Sequence, residues 1–432
     1  MASIVGFLSR NWQFFSPPTV PKGPQPLRFG VISAANIVPM AFLSPASTHP
    51  EVVVTAVAAR DPARAAAFAK KHKIPNVKES YQALLDDPDI DCVYIPLPNG
   101  LHYEWAVRAL RAGKHVYLEK PAVSNAIEAE KLFNSPLLKD PGAPVLLEAA
   151  HSWFYPAWSR FMSFVDPAGI ERATSNMLVP TGFIADSDIR YDYALAGGAM
   201  MDTGPYTMGA LRLAFGGGVP VSCEKAEWKP LPGVDRAKAE VDAAYEVHFR
   251  FANGGLGIAR GTLKMPLSEW EMPNRIEVVH KPRVMVAGAG AVGDEAEELR
   301  KAGVSVKDGQ EVVRVRTVSL SFFVMPYVYH TVHVQDEYTL RETGPAGGGK
   351  TVKKWTKKAD HKAYSWKGAG VDQPGEVYWL TYRHCLEQFI NKVRGRETKQ
   401  WFGAEDSIAT AKMLDMAYEA AGLKLRPTST YE

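Results

Sequence analysis

Hydrophobic and polar positions change their period along the chain, and the change separates two kinds of sheet. From Leu27 to Ala150, unbroken apolar runs such as Glu51–Arg60 (EVVVTAVAAR) and Asp91–Pro98 (DCVYIPLP) alternate with amphipathic stretches of helical period. Unbroken apolar runs are typical of strands buried on both faces of a parallel sheet, joined by crossover helices. The pattern therefore predicts an α/β fold that begins with a doubly wound parallel sheet of Rossmann type.

Beyond His151, apolar and polar residues alternate singly, as in Asp242–Leu263, where Asn253-Gly254 is a typical antiparallel hairpin turn. The segments 312–324 and 327–342 alternate in the same way, and the chain ends in amphipathic helices. We therefore expect a second α/β domain with a large, mainly antiparallel open sheet. The predicted divisions are an N-terminal arm and proline-rich linker (1–26), a Rossmann domain (27–152) and a second domain (153–432).

Two stretches compete as the loop that would hold a dinucleotide. Val284–Gly293 (VMVAGAGAVG) spells G-x-G-x-x-G, whereas Leu27–Pro39 has Ser33, Ala35 and Val38 in place of the three glycines. A dinucleotide crevice needs two βαβ halves, at the point where the strand order reverses. The N-terminal copy begins at least four strand-helix units, but the glycine-rich copy has room for only one before antiparallel strands resume. We therefore predict the site at the N-terminal copy and interpret the glycine-rich copy as a loop of the second domain.

Small residues after the first strand let backbone N–H groups approach a pyrophosphate at a helix N-terminus. The residues predicted to form this loop are Ser33, Ala34, Ala35, Asn36 and Ile37. The second strand ends at Arg60, where NAD-binding sheets usually carry an acidic residue, and Arg64 lies one turn into the next helix. Arginines there would pair with a 2′-phosphate and favour NADP. Asp61 leaves NAD open, if the strand ends one residue later.

Candidate chemistry lies at strand ends and on one helix. The strand of HVYLEKP places Glu119 and Lys120 where ligands bind in this architecture. Asp202 and Tyr206 are four residues apart, which puts both on one face of a helix. A lysine near a tyrosine can lower the pKa of the phenol, so that it serves as a general base for a hydroxyl. Arg190 either faces a polyol or forms a surface ion pair.

These residues together resemble the Gfo/Idh/MocA oxidoreductase family. The family's Glu-Lys-Pro motif matches 119–121, its preceding proline, asparagine and histidine match Pro98, Asn99 and His102, and its glycine pair matches 197–198. The resemblance covers residues 27–426. Within the family the chain is most similar to dimeric dihydrodiol dehydrogenases and to NADP-dependent D-xylose 1-dehydrogenases of fungi.

The resemblance implies roles for individual residues. Tyr206 would take the proton of the substrate hydroxyl, Lys120 would hydrogen-bond that oxygen, and Asp202 would orient the substrate or the tyrosine. His151 and Trp153, which depart from the residues usual in relatives, would lie with Arg190 on the substrate side. Cofactor contacts are expected from the loop at 33–37, from Arg60 and Arg64, and from a further set: Leu97, Pro98, Asn99, His102, Glu119 and Lys120.

The function predicted is hydride transfer between NADP and a cyclic polyol or aldose such as D-xylose. Alternatives are a trans-dihydrodiol dehydrogenase or dicarbonyl reductase, a non-catalytic NADP-binding sensor, and a family hydrolase that uses bound NAD. Net charge is +3 across 432 residues with no basic stripe, so neither nucleic acid nor membrane is an expected partner. Three cysteines without metal-ligand spacing indicate no metal and a reducing, cytoplasmic location. The family resemblance implies a homodimer through the second sheet.

Overall fold

The computed structural model of the chain describes residue 12 and residues 16–269, 271–288, 294–344 and 349–432. Within these ranges the strands form two sheets, one of six strands and one of nine. The first is entirely parallel and the second is mainly antiparallel. The α/β architecture predicted from the sequence is therefore confirmed.

The parallel sheet is built from the N-terminal third of the chain. Its strands are β1 (Leu27–Ile32), β2 (Val52–Ala58), β3 (Asn76–Val77), β4 (Cys92–Ile95), β5 (His115–Leu118) and β6 (Leu146–Glu148). Their order is β3-β2-β1-β4-β5-β6, so the direction of winding reverses between β1 and β4. A ligand crevice is expected at that reversal, outside the carboxyl ends of the strands.

Short helices connect these strands. They are α1 (Ser44–Ser47), α2 (Pro62–His72), α3 (Tyr81–Leu85), α4 (His102–Arg111) and α5 (Ala126–Phe133). Two of these helices are capped by side chains: the Asp61 carboxylate accepts the N–H groups of Ala63 and Arg64, and the Ser80 hydroxyl accepts that of Ala83. The helix expected directly after β1 is less regular and starts with one π-helical turn, Pro39–Leu43.

The second sheet is long and open. Its strands are β7 (Ile170–Pro180), β8 (Ser222–Lys229), β9 (Ala244–Arg250), β10 (Leu256–Met265), β11 (Asn274–His280), β12 (Arg283–Ala287), β13 (Gln310–Ser321), β14 (Val332–Glu342) and β15 (Thr351–His361). The path runs β15-β14-β13-β11-β7-β10-β9-β8, and β12 pairs with β13. The Asn253-Gly254 turn joins β9 and β10 as an antiparallel hairpin, as predicted.

Helices of the second part pack on both sheets. They are α6 (Pro156–Met162), α7 (Ala199–Ala214), α8 (Asp294–Lys301), α9 (Trp366–Ala369), α10 (Thr381–Val393) and α11 (Ala404–Ala420). Helix α7 covers one face of the nine-stranded sheet, where small residues such as Gly261 allow close approach. Helix α10 reaches the parallel sheet, since the Phe389 ring lies 5.3 Å from that of Tyr117. The domain boundary at 152/153 remains a prediction.

The glycine-rich stretch of the second domain follows β12, which pairs antiparallel with β13. A parallel βαβ unit cannot be built on an antiparallel pair, which agrees with its interpretation as a loop. Residues 289–293 of this stretch, residues 345–348 and most of the N-terminal arm lie outside the described residues.

The proline-rich segment Ser16–Pro26, predicted as a linker, packs against its own domain. The Lys22 ammonium donates to the carbonyl oxygens of Ala46 and His49 at 2.7 and 2.9 Å. Across the part of the chain that the structure describes, no helix combines the length and the apolar character needed to span a bilayer.

Candidate active site

The loop after β1 has the backbone that a glycine would supply. Ser33 occupies the first glycine position of the degenerate motif and has φ of 145°, a conformation that side chains rarely adopt. Ala34 is buried beneath the loop, while Asn36 is exposed at its tip. The residues at 33–37 thus lie at the carboxyl end of β1, next to the reversal of strand order.

The segment after β2 carries positive charge. The strand ends at Ala58, two residues earlier than predicted, and Arg60 is exposed with no ion pair to any residue described. The Oδ1 atom of Asp61 accepts two N–H groups as the cap of α2. Arg64 donates to the carbonyl oxygen of Ala34 at 3.0 Å, which ties the start of α2 to the loop after β1. This arrangement fits a phosphate better than a ribose hydroxyl.

The turn after β4 is held from behind by His102. This ring is fully buried, with Nδ1 2.8 Å from the carbonyl oxygen of Pro121 and Nε2 2.8 Å from that of Leu97. Burial lowers the pKa of His102 to about 4. The side chain predicted to touch a cofactor is therefore buried between two loops, and its neutral ring can donate to only one of the two carbonyl oxygens. Asn99 crosses to the second part of the chain and donates to the carbonyl oxygen of Ala196 at 3.1 Å.

Glu119 is a buried support for the turn that carries Lys120. Its carboxylate accepts the Tyr94 hydroxyl at 2.6 Å and the backbone N–H of Lys120 at 3.3 Å. Burial raises the pKa of the Glu119 carboxyl. Tyr94 had no sequence signal, because a tyrosine inside a buried strand is indistinguishable from core.

Lys120 and Asp202 meet across the two halves of the chain. The Lys120 ammonium lies 2.9 Å from the Asp202 carboxylate and 2.8 Å from the carbonyl oxygen of the same residue. Arg190 donates to the other carboxylate oxygen at 3.0 Å. Burial would raise the pKa of Asp202, but the two cations outweigh it and lower the pKa to about 2. Arg190 thus forms a partly buried ion pair inside the group.

Tyr206 lies against the same lysine, with the Lys120 ammonium 4.7 Å from the centre of its ring. The expected lowering of its pKa is not found. Burial raises the pKa of the phenol well above its usual range, and the charges of Glu119 and Asp202 add to the effect. Because of this raised pKa, the phenol keeps its proton at neutral pH. Its hydroxyl is hydrogen-bonded to Nε2 of His151 at 2.9 Å.

Of the remaining substrate candidates, His151 contacts the polar residues of the site, whereas Trp153 does not. His151 is 1% exposed and contacts Thr381 as well as Tyr206. The Trp153 indole packs in the apolar core, 4.7 Å from Trp158 and against Gly209 of α7. Thr381 carried no sequence signal that could have singled it out.

The start of α7 is fixed by a buried ion pair that the sequence did not reveal. Asp242 accepts the N–H of Met200 at 2.6 Å and pairs with Arg426 at 2.8 Å, and both charged side chains are 0% exposed. Gly198 has φ of 139°, and a Cβ there would lie 2.4 Å from the Asp242 carboxylate. A side chain at position 198 would therefore collide with this ion pair. No cluster suited to a metal ion occurs among the residues described.

Family comparisons match both halves of the chain. A model of the GFO_IDH_MocA oxidoreductase family with an NAD-binding Rossmann fold matches residues 27–136, and its C-terminal domain model matches 140–281. The dTDP-3,4-didehydro-2,6-dideoxy-alpha-D-glucose 3-reductase of Saccharopolyspora spinosa is 31% identical over 273 residues, which cover 59% of this chain and 80% of that protein.

Two further relatives are matched over a shorter length. The D-xylose 1-dehydrogenase (NADP(+)) 2 of Haloferax volcanii is 40% identical over 194 residues, 44% of this chain and 58% of the relative. The trans-1,2-dihydrobenzene-1,2-diol dehydrogenase of Sus scrofa is 32% identical over 216 residues, 48% of this chain and 62% of the relative. The chain thus spans about three fifths of the length of these proteins.

Among solved structures, a 3-ketoreductase from Actinomadura kijaniata in complex with NADP and TDP-benzene superposes with a TM-score of 0.63. It is 22% identical, and the match covers 92% of this chain and 98% of that one. At this identity the superposition shows a shared fold and does not extend to function.

Proposed function

Because the chain belongs to the Gfo/Idh/MocA oxidoreductase family, we propose that it transfers hydride between NADP and a hydroxyl-bearing carbon of an aldose or cyclic polyol. The observation that carries this proposal is the meeting of Lys120, Asp202 and Tyr206 at the carboxyl end of β5. D-xylose is the first substrate to consider, by analogy with the Haloferax volcanii relative.

The preference for NADP over NAD is supported by the residues at the end of β2. Arg60 is exposed and without an ion pair to the residues described, so its guanidinium is available to a 2′-phosphate. Asp61 uses its Oδ1 atom to cap α2. The loop at 33–37, with the glycine-like backbone of Ser33, fits the close approach of a pyrophosphate.

A bound nicotinamide would accept or donate the hydride. Side chains of the protein would transfer the proton of the substrate hydroxyl and stabilise the charge on its oxygen. In this proposal Lys120 donates a hydrogen bond to the substrate oxygen and stabilises its developing negative charge. Asp202 holds the lysine through an ion pair with side chains 12% and 20% exposed, and Arg190 holds Asp202 from the other side. We propose Tyr206 as the proton-transfer group, because its ring centre lies 4.7 Å from the Lys120 ammonium.

The test is the near-ultraviolet absorbance of reduced nicotinamide after adding NADP⁺ or NAD⁺ with D-xylose, other aldoses or a trans-dihydrodiol. We expect reduction with NADP⁺ and an aldose, and no turnover by a Lys120→Met variant that still binds NADP⁺ in calorimetry. Turnover of the dihydrodiol alone would replace the sugar assignment with the alternative function. Tight binding of NADP⁺ with no turnover of any compound would favour the sensor.

A second copy of the chain is the partner we propose, bound through the open face of the nine-stranded sheet. That face lies opposite α7 and carries paired charges such as Arg260 with Glu271 at 3.0 Å, together with half-buried Ile258. Sedimentation analysis should find a dimer, and Ile258→Glu should give a monomer. A wild-type protein that sediments as a monomer would refute this part of the proposal.

A further inference from the structure

Three buried side chains form a hydrogen-bonded line behind the proposed substrate position. The Tyr206 hydroxyl is 2.9 Å from Nε2 of His151, and Nδ1 of His151 is 2.7 Å from the Thr381 hydroxyl. The three residues are 5%, 1% and 0% exposed. They come from α7, from the turn after β6 and from the first residue of α10, so the line joins three separate elements.

The imidazole in the middle of this line is fixed and neutral. Its ring centre lies 3.8 Å from that of Tyr382, which holds the plane of the ring. Burial lowers the pKa of His151 well below its usual value, and the charge of Lys120 adds to the effect. A neutral imidazole has one N–H donor and one acceptor nitrogen, and here each nitrogen faces a hydroxyl.

We propose that His151 is a positioning residue whose tautomer decides whether Tyr206 turns a lone pair or its proton toward the substrate oxygen. With the ring proton on Nδ1, His151 donates to Thr381 and accepts the hydroxyl proton of Tyr206. The tyrosine oxygen can then accept a hydrogen bond from a substrate hydroxyl. With the ring proton on Nε2, His151 donates to Tyr206, whose own O–H is free to donate to a substrate carbonyl.

The contact between Tyr206 and His151 also gives the proton of the phenol an acceptor. A phenol that keeps its proton can take one from a substrate hydroxyl only by releasing its own. During oxidation the substrate C–H electron pair leaves as hydride to the nicotinamide, the O–H pair becomes the carbonyl bond, and the substrate proton moves to Tyr206. The former proton of Tyr206 moves to Nε2 of His151. Both N–H groups of the charged ring then have oxygen partners, Tyr206 and Thr381, and reduction reverses each transfer.

The inference rests on the function proposed for Tyr206, and two matched variants separate positioning from packing. Glutamine at 151 can place an amide near the position of Nε2 and keep a partner for Tyr206. Asparagine reaches only the position of Nδ1 and keeps a partner for Thr381. We expect His151→Asn to lower kcat about 10²-fold with little change in KM, the usual effect of a misplaced reacting group. His151→Gln restores the hydrogen bond to Tyr206 but cannot take its proton, because an amide is not basic, so it should recover only part of the lost kcat.

A spectroscopic readout tests the contact without turnover. In protein labelled with ¹⁵N-histidine, the His151 ring should remain neutral at pH values where exposed histidines become protonated. The shifts of its nitrogens should move in Tyr206→Phe and in Thr381→Val, each of which removes one hydroxyl partner. Unchanged shifts in Tyr206→Phe, or equal loss of kcat in His151→Asn and His151→Gln, would overturn the proposal. Shifts that respond while no polyol is oxidised would place the failure in the proposed substrate instead.

Discussion

Replacing Asp202 with asparagine removes one negative charge from between two cations and keeps the shape of the side chain. The Lys120 ammonium and the Arg190 guanidinium lie 2.9 and 3.0 Å from its oxygens and lower its pKa from 3.8 to about 2. Because one pKa unit corresponds to about 1.4 kcal/mol, the carboxylate contributes about 2 kcal/mol to the free energy of unfolding.

The sign of this contribution sets its dependence on pH. A carboxyl whose pKa is lowered by folding stabilises the native state above pH 3.8, and the contribution is lost as the pH falls through about 2. Asp202→Asn should therefore lower the free energy of unfolding by about 2 kcal/mol at pH 7, and by about half as much at pH 3.

Urea unfolding of the two proteins at pH 7, 5 and 3 measures this difference directly. Asp188→Asn is the matched control, because Asp188 also pairs with Arg190 at 2.9 Å but is more exposed, and asparagine preserves its capping role. Its cost should stay below about 1 kcal/mol. A difference for Asp202→Asn that does not change with pH, or one equal to that of the control, would show that the ion pair is not the source of the stability.

Three further outcomes are expected. Tyr206→Phe should lower kcat about 10²–10⁴-fold while calorimetry finds unchanged NADP binding; near-normal turnover would remove Tyr206 from proton transfer. Arg60→Ala should weaken NADP binding about 10- to 100-fold, the worth of one charged hydrogen bond, and leave NAD binding unchanged; equal weakening of both would contradict the 2′-phosphate contact. Arg426→Met should lower the free energy of unfolding, measured by urea denaturation, by about 3–5 kcal/mol, because it leaves Asp242 buried without a counter-charge. A change near zero would mean that Asp242 becomes protonated at little cost.

The fold could be predicted from local patterns to the extent that each element has one. An unbroken apolar run contains β2 and predicts a parallel sheet. A singly alternating run contains β9 and β10 and predicts an antiparallel sheet. The two-residue strand β3 is too short to show any period, and it was missed. The π-helical turn Pro39–Leu43 was also missed, since nothing in an apolar run distinguishes it from an α-helical turn.

The candidate site was easiest to predict where its residues share a motif. Lys120 stands in a strand-end motif, and Asp202 and Tyr206 share a helix face, so all three were named as candidates and the structure brings them together. The contact of His151 with Thr381 spans 230 positions and that of Asp242 with Arg426 spans 184. Pairs so distant leave no local pattern, because only the tertiary fold brings them together. The pKa of Tyr206 was misjudged for the same reason, since burial is a property of the assembled chain.

The charges around Tyr206 leave Lys120 as the cation next to the tyrosine. Arg190 is shared between the carboxylates of Asp202 and Asp188, whereas Lys120 pairs with Asp202 and lies 4.7 Å from the centre of the Tyr206 ring. A positive charge in this position stabilises negative charge on a substrate oxygen most strongly where water is excluded. The same charge disfavours a second positive charge nearby, and it adds to the burial that lowers the pKa of His151. A proton that reaches His151 is therefore held weakly, which suits a reaction that runs in both directions.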